Sequence, residues 1–215
     1  MRILFAGIAL LSFVTGCTKP SAPPSESTAV DAEAETDQEA LASSFGVGDP
    51  APTFVGLMGV DDQSHSLADY ADAKVVAIVF TCNHCPVAVA YEDRLAALHN
   101  DYSDQGVQLI AINVSNLEAD KLPAMKERAA AKGFEFPYLY DPTQQLGRDY
   151  GATVTPHVFL LDGQRRLAYV GAVDDSMDEA EVTEHFLRDA IDALLAGNAP
   201  SKAETKVFGC GIQYE

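Results

Sequence analysis

Two cysteines separated by two residues, Cys82 and Cys85, stand where a predicted strand ends and a predicted helix begins. Such a pair can cycle between a dithiol and a disulfide. We expect Cys82 to lie at the exposed edge of the turn, where the helix dipole and the free backbone N–H groups favour its thiolate. Because the thiolate is the form that attacks another disulfide, the pair predicts thiol–disulfide exchange.

Two other uses of the cysteine pair stay open at this level. A disulfide that closes so short a loop constrains the unfolded chain by roughly 2 kcal/mol on the loop-entropy model, which is a weak structural reason for the pair. A closed zinc site needs four ligands, and a metal-binding module selective for Cu(I) or zinc would recruit Cys210 and a histidine. We therefore expect no resident metal and no other cofactor, with a redox-active disulfide between Cys82 and Cys85.

The elements around the pair are those of an α/β domain. The apolar run from Val75 to Phe80 predicts a strand buried on both faces, and Pro86 suits the first turn of the next helix. The pattern further predicts a strand over 107–114, a helix over 123–132, a short segment over 136–140, a helix over 143–150 and a hairpin of 158–161 with 167–170. A capping-box spacing that begins at Ser176 predicts the start of the last helix. This order predicts a central mixed β-sheet with helices on both faces.

The beginning of the chain predicts export. Arg2 and the apolar stretch from Ile3 to Val14 form a signal segment, because they are shorter than the about 20 residues that span a bilayer. The sequence at 14–17 resembles the lipobox of bacterial lipoproteins, which implies a signal peptide over 1–16 and lipid on Cys17. An ordinary export signal with a leftover cysteine is the alternative. We expect a protein anchored to the membrane by lipid, in the periplasm or on the outer cell surface.

Composition divides the rest of the chain. Residues 17–44 are mostly Ala, Ser, Thr, Pro and acids, which predicts a disordered tether. We expect one domain over 45–197 and a C-terminal tail over 198–215. The net charge of −18 argues against nucleic acid as a partner. Acids crowd the stretch from Asp174 to Glu184, where we expect a solvated helix face, with a docking patch for a basic partner as the alternative.

Several motifs resemble the redoxin branch of the thioredoxin-like superfamily, which holds the peroxiredoxins and the membrane-tethered thiol–disulfide oxidoreductases. They are the lead-in at 47–54, the turn at 66–70, the cysteine pair, the dipeptides at 141–142 and 146–147, and the approach to a proline at 150–156. The resemblance covers about residues 46–196. It implies a thioredoxin-like fold and a tethered thiol–disulfide oxidoreductase. The implied partners are dithiols and disulfides of envelope proteins, and a membrane electron donor or acceptor.

The same resemblance implies roles for individual residues. Pro156 should be cis and lie against the disulfide, and the backbone of Thr155 should be free to pair with an incoming peptide. Cys82 then attacks, and the more buried Cys85 resolves the mixed disulfide. His84 would stabilise the Cys82 thiolate, or else be an exposed loop histidine.

Two acids of the resembled families are missing here. Thioredoxins usually bury an acid six residues before the first cysteine, where this chain has Val76. Tethered reductases often carry a glutamate three residues past the second cysteine, where this chain has Ala88. The role of taking the proton from the resolving cysteine is therefore left to water, a histidine or nothing.

A peroxiredoxin-like peroxide reductase is the alternative enzyme. Peroxiredoxins need Pro-x-x-x-Thr/Ser-x-x-Cys, and counting back from Cys85 puts Cys82 and Ile78 at the hydroxyl and proline positions. Thr81 is adjacent to Cys82 but out of register.

Two further residues have open roles. Cys210, with a glycine on each side, is either a third redox thiol or metal ligand near the pair, or a spare thiol. His157 either lies near the cysteine pair or packs as a strand residue.

Overall fold

The computed structural model describes residues 45–215. The helices in this part of the chain are α1 (Pro86–Tyr102), α2 (Leu122–Lys132), α3 (Gln145–Tyr150) and α4 (Phe186–Leu195). The strands are β1 (Leu57–Gly59), β2 (Ser64–His65), β3 (Val75–Phe80), β4 (Val107–Asn113), β5 (Tyr138–Tyr140), β6 (Val154–Thr155), β7 (His157–Leu161), β8 (Leu167–Gly171) and β9 (Cys210–Gly211). The signal peptide, the lipid on Cys17 and the tether are predictions about residues outside the described range.

The main sheet has seven strands in the order β2-β1-β5-β4-β3-β7-β8. Strands β3, β4 and β5 run parallel, whereas β7 and β8 continue the sheet as an antiparallel hairpin. A helix follows each of β3 and β4, because parallel neighbours need a crossover connection. The predicted mixed sheet of the thioredoxin-like fold is confirmed.

Apolar side chains cover the sheet on both faces. Every residue of β3 is buried, and successive side chains point to opposite faces. Val75, Ala77 and Val79 pack in a cluster with α1, α2 and α4, while Val76, Ile78 and Phe80 pack in a second cluster with α3. Helices therefore lie on both faces, as predicted, and the uninterrupted apolar run of β3 follows from burial on both sides.

The last helix begins later than predicted. A short 3-10 turn over Glu179–Glu181 replaces its first part, and α4 starts only at Phe186. Asp178 caps that turn by accepting from the Ala180 N–H at 3.0 Å. The Asp175 carboxylate accepts from the Thr183 N–H at 2.9 Å and from the Glu184 N–H at 3.1 Å, which stabilises a loop in place of a helix.

The acidic stretch is also not a uniformly solvated helix face. Asp174 is buried, accepts from the Tyr91 hydroxyl at 2.6 Å and pairs with Arg94 at 2.6 Å. Asp174 therefore joins α1 to the loop before α4, and the prediction of a solvated helix face is wrong for this residue.

The C-terminal residues pack back onto the domain. The Thr205 N–H donates to the Val170 oxygen at 3.1 Å, and β9 pairs antiparallel with β6. Ile212 and Tyr214 pack against the cluster that contains Phe80. Within residues 45–215, no helix is long and apolar enough to cross a membrane.

Candidate active site

The cysteine pair lies in the connection between β3 and α1. Strand β3 ends at Phe80, and α1 begins at Pro86, which lacks the N–H that a first helical residue leaves unpaired. Cys85 is the N-cap of α1, and its sulfur accepts from the Ala88 N–H at 3.5 Å. The sequence places both thiols at the carboxyl end of a central strand and at the start of a helix.

Cys82 is buried, contrary to the expectation that it lies at an exposed edge. Its residual exposure is 3%, and its sulfur shares a hydrogen bond of 3.3 Å with the Thr155 hydroxyl. Burial raises the pKa of the Cys82 thiol to about 11, and the nearby negative charge of Asp120 adds to this rise. The prediction that the helix N-terminus favours the Cys82 thiolate is therefore wrong.

The helix N-terminus acts on Cys85 instead. Cys85 is fully buried and donates a hydrogen bond of 3.3 Å to the Thr155 carbonyl oxygen. Burial alone would raise the pKa of this thiol, but hydrogen bonds from Cys210 and the Ala88 N–H outweigh burial and lower it. A buried thiolate is thus better supported at the second cysteine than at the first.

The proline loop lies against both thiols. The Thr155–Pro156 peptide bond is cis, which turns the chain so that the hydroxyl and carbonyl of Thr155 reach the two sulfurs. The resemblance implied that the backbone of Thr155 is free to pair with an incoming peptide. In the structure it is occupied, because Thr155 pairs with Cys210 of β9. The chain's own C-terminal strand occupies this edge.

Asp120 is a site residue that the sequence analysis missed. It belongs to a 3-10 turn before α2, and it is fully buried. One carboxylate oxygen accepts from the Asn83 N–H at 2.7 Å and from the His84 N–H at 3.2 Å. The other accepts from the Ser115 hydroxyl at 2.7 Å. Asp120 therefore fixes the two residues between the cysteines.

His84 is bound to the same carboxylate. Its Nδ1 lies 2.5 Å from the second Asp120 oxygen, and its side chain is 39% exposed. A carboxylate on Nδ1 fixes the tautomer, so that the Nε2 lone pair stays available as a base. His84 is thus an oriented histidine at the mouth of the site and not a free loop residue.

Asn83 connects this turn to the sheet. Its side-chain amide donates to the Ala119 oxygen at 2.8 Å, and its side-chain oxygen accepts from the Tyr138 hydroxyl at 2.9 Å. Asn113 at the end of β4 donates to that hydroxyl at 3.2 Å. The network connects the turn to β4, which neighbours β3, and to β5, the next parallel strand of the sheet.

His157 packs as a strand residue. It begins β7, is 7% exposed, and accepts at Nδ1 from the Thr153 N–H at 3.3 Å. Its ring lies 4.5 Å from that of Phe159. Burial lowers the pKa of His157 to about 4, so the ring is neutral at physiological pH.

A small cavity opens onto Cys82. It encloses about 90 Å³ and is lined by Thr81, Cys82, His84, Val114, Ser115, Asn116, Leu117, Thr155, Gly211, Ile212, Gln213 and Glu215. The loop after β4 forms one wall and the C-terminal residues form the opposite wall. Cys82 and His84 therefore line the same cavity.

Three side chains at this cavity have the ligand types of a metal site. One ligand atom each from Cys82, His84 and Asp120 lie within 4.8 Å of one another. This set differs from the predicted alternative, in which Cys85, Cys210 and a histidine joined Cys82. Both Asp120 oxygens already accept hydrogen bonds from the turn and from Ser115.

Comparisons with known proteins identify the family of the chain. The family model described as Redoxin matches residues 46–186. The chain is similar to the thiol:disulfide interchange protein DsbE of Yersinia pestis, with 25% identity over 139 residues, which are 63% of this chain and 70% of that protein.

Two solved structures extend the comparison. An uncharacterized conserved protein from Geobacillus kaustophilus is 36% identical with a TM-score of 0.75, covering 80% of this chain and 93% of that one. A putative thiol:disulfide interchange protein DsbE from Chlorobium tepidum is 27% identical with a TM-score of 0.50, covering 58% of this chain and 83% of that one. With a dithiol at the end of a central strand, a cis proline against it and this family match, the chain belongs to the Redoxin family.

Proposed function

We propose that this protein exchanges disulfides with dithiols and disulfides of envelope proteins, through Cys82 and Cys85. The observation that carries the proposal is the placement of both thiols against one residue of the cis-proline loop: each sulfur hydrogen-bonds to Thr155 at 3.3 Å. The Redoxin match and the similar thiol:disulfide interchange proteins confirm the predicted enzyme class, a thioredoxin-like thiol–disulfide oxidoreductase.

Exchange proceeds in two displacement steps. The Cys82 thiolate attacks one sulfur of a partner disulfide, so that a Cys82–partner bond forms and the second partner sulfur leaves as a thiolate. The Cys85 thiolate then attacks Cys82 Sγ, forms the Cys82–Cys85 disulfide and releases the first partner sulfur. The partner gains two electrons and the protein loses two; the reverse sequence oxidises a partner dithiol.

His84 and Asp120 together remove the proton of the Cys82 thiol in the first step. The pKa of Cys82 is raised, so a base is needed to form its thiolate at neutral pH. The His84 Nε2 accepts that proton while Asp120 holds Nδ1 and compensates the positive charge that develops on the ring. A carboxylate at Val76 or Ala88 would act on the resolving cysteine, whereas this pair acts on the attacking cysteine, Cys82.

The same electrostatics favour a reducing protein. Strongly oxidising members of this chemistry stabilise the thiolate of the attacking cysteine in the reduced form. Here the Cys82 thiolate is disfavoured by burial, and the charge of a protonated His84 is compensated by Asp120. We therefore assign a reduction potential near that of thioredoxin, about −270 mV.

Export and anchoring complete the proposal. The signal peptide predicted over 1–16 and the lipid predicted on Cys17 would put the domain in the envelope, where partners carry disulfides and a membrane electron donor would recharge the dithiol. The similarity to a DsbE protein supports this location. The net charge of −18 favours protein partners over nucleic acid.

Reduction of a disulfide-bonded test protein such as insulin, by the full chain with excess dithiothreitol, tests the proposal. We expect the full chain to accelerate the reaction and Cys82→Ser to abolish the acceleration. Reduced Cys85→Ser, freed of dithiothreitol before it meets insulin, should trap a mixed disulfide on Cys82. Cys17→Ser is the matched control, because it removes a cysteine that we place outside the site, and it should leave the rate unchanged.

Two outcomes would overturn the proposal in favour of the alternatives. Reduction of hydrogen peroxide with no reduction of insulin would indicate a peroxide reductase. Stoichiometric copper or zinc that is lost in Cys82→Ser, together with no disulfide chemistry, would indicate a metal-binding module.

A further inference from the structure

The C-terminal strand β9 lies on the edge where a partner peptide would pair. Cys210 is opposite Thr155, and Gly211 is opposite Val154, in antiparallel register. The Ile212 N–H donates to the Thr153 oxygen at 2.9 Å. The edge next to the cis proline is therefore filled by a peptide of this chain, and a cysteine stands at the position that faces the site.

Several contacts hold the strand in place. The Tyr214 hydroxyl donates to the Ala152 oxygen at 2.7 Å, and the Gln144 side-chain amide donates to the Gln213 oxygen at 2.9 Å. At Gly209, a Cβ would lie 2.1 Å from the Thr155 oxygen, and φ is 153°. Only glycine permits this close approach, so Gly209 allows β9 to lie directly against the backbone of Thr155.

The Cys210 sulfur contacts the cysteine pair through Cys85. The side chains of Cys210 and Val87 pack against the cluster formed by Cys82, Cys85 and Ala88. The interaction between the two thiols lowers the pKa of Cys85 and raises that of Cys210. Cys85 thus has one thiol neighbour in its own turn, Cys82, and a second thiol neighbour from the C-terminal strand.

We propose that Cys210 is a third exchange thiol, which forms a disulfide with Cys85 in competition with Cys82. This inference rests on the proposed function, because it starts from the Cys82–Cys85 disulfide. The Cys210 thiolate attacks Cys85 Sγ, the Cys85–Cys210 bond forms as the Cys82–Cys85 bond breaks, and the bonding electron pair leaves on Cys82. The proton lost by Cys210 passes through solvent to Cys82.

The exchange needs no outside oxidant or reductant. One disulfide and one thiol are present before and after it, and only the partner of Cys85 changes. In the new isomer, Cys82 is again a thiol at the cavity, and β9 is bonded covalently to the start of α1. The protein stays oxidised, with its disulfide now between Cys85 and Cys210. This disulfide holds β9 on the backbone edge beside Thr155, so a partner peptide can pair with that edge only after the disulfide is reduced or exchanged.

The physical basis of this exchange is the position of the Cys85 sulfur, which has the Cys82 and Cys210 thiols as neighbours. Cys85 is the sulfur that both disulfides share: Cys210 packs against the cluster of Cys82, Cys85 and Ala88, and its strand is held beside Thr155, so the exchange changes only the bonding partner of Cys85. The Ala88 N–H donates to the Cys85 sulfur, whereas contact with Cys85 and burial raise the pKa of Cys210, so Cys210 attacks through its minor deprotonated fraction.

Disulfide mapping of variants that each lack one of the three site cysteines tests the inference. Each variant is made in the full chain with Cys17→Ser, so that at most three thiols are counted, and is oxidised in the same glutathione buffer. We expect Cys82→Ser to form an intramolecular Cys85–Cys210 disulfide, Cys210→Ser to form Cys82–Cys85, and Cys85→Ser to form no intramolecular disulfide. The chain with all three thiols should contain both isomers, both including Cys85.

The outcomes separate this inference from the proposed function. If Cys210→Ser forms Cys82–Cys85 but Cys82→Ser keeps two free thiols or only adds glutathione, the third-thiol inference is overturned and the proposed function stands. If Cys210→Ser forms no disulfide, the proposed function fails, and the inference fails with it. Gly209→Ala is a second variant: it should reduce the Cys85–Cys210 fraction at least tenfold and leave Cys82–Cys85 intact, and an unchanged fraction would contradict the role of β9.

Discussion

Asp120→Asn removes a buried negative charge beside the Cys82 thiol while it keeps the size of the side chain. Asp120 is fully buried, and one of its oxygens lies within 4.8 Å of the Cys82 sulfur. A carboxylate so close disfavours a second negative charge. We therefore expect the pKa of Cys82 to fall below its native value of about 11 and its alkylation at neutral pH to become faster.

The size of the effect follows from the distance. Two unit charges 4.8 Å apart interact with about 0.9 kcal/mol at a dielectric constant of 80 and about 3.5 kcal/mol at 20. Since one pKa unit is about 1.36 kcal/mol, the thiolate fraction of Cys82 rises between about 4-fold and about 300-fold. Thiolate nucleophilicity falls as the pKa falls, with a Brønsted coefficient of about 0.4–0.5, so the alkylation rate should rise by about 2-fold to about 25-fold.

The assay is alkylation of the reduced full chain by iodoacetamide, with the Cys82 peptide quantified by mass spectrometry across neutral and alkaline pH. Glu118→Gln is the matched control, because Glu118 lies in the same 3-10 turn with a side chain that is 89% exposed. Circular dichroism establishes that both variants are folded. An Asp120→Asn rate equal to or below that of the unmodified chain, with Glu118→Gln also unchanged, would refute the electrostatic role assigned to Asp120.

Three further perturbations have defined outcomes. Asp120→Ala leaves buried N–H and hydroxyl donors without their acceptor, so the free energy of unfolding measured in urea should fall by about 1–3 kcal/mol for each donor that stays buried; a loss under about 1 kcal/mol would count against the network. The pKa of His157 is lowered to about 4 in the folded chain, against about 6.5 when unfolded. Its neutral form therefore contributes stability that is complete above about pH 6.5 and falls by about 3 kcal/mol as the pH approaches 4. His157→Phe should remove this part of the acid dependence, and an unaltered pH profile would show that other groups cause it. Thr155→Val deletes the hydroxyl that hydrogen-bonds to Cys82 at 3.3 Å, so the pKa of Cys82 should rise and its alkylation should slow; faster alkylation would contradict this contact.

The fold is predictable wherever a local pattern determines it. Local sequence determines three features of this kind: the apolar run of β3, the proline at the start of α1 and the turn between β7 and β8. The start of α4 was misplaced because Asp175 binds the backbone at Thr183 and Glu184, an interaction across the loop that a capping-box spacing does not reveal.

The site is predictable in its residue types more than in its electrostatics. The cysteine spacing and the Thr-Pro dipeptide identify the reacting groups, whereas the charge on each sulfur depends on tertiary contacts. Asp120 sits in an acidic run that resembles solvated surface, and only the folding of the turn over Asn83 and His84 buries it. Burial of Cys82 results from contacts with residues such as Thr155, far along the chain, so an argument from the helix dipole assigned the favoured thiolate to the wrong cysteine.

The reduction potential of the Cys82–Cys85 couple tests the central claim most directly. It is measured in the full chain with Cys17→Ser and Cys210→Ser, so that no other thiol competes, by equilibration with dithiol and glutathione buffers. We predict one reversible two-electron transition near about −270 mV, which becomes about 59 mV more negative per pH unit where both thiols are protonated. A potential of about −120 mV would contradict the assignment as a reductant, and no reversible transition would contradict thiol–disulfide exchange at this site.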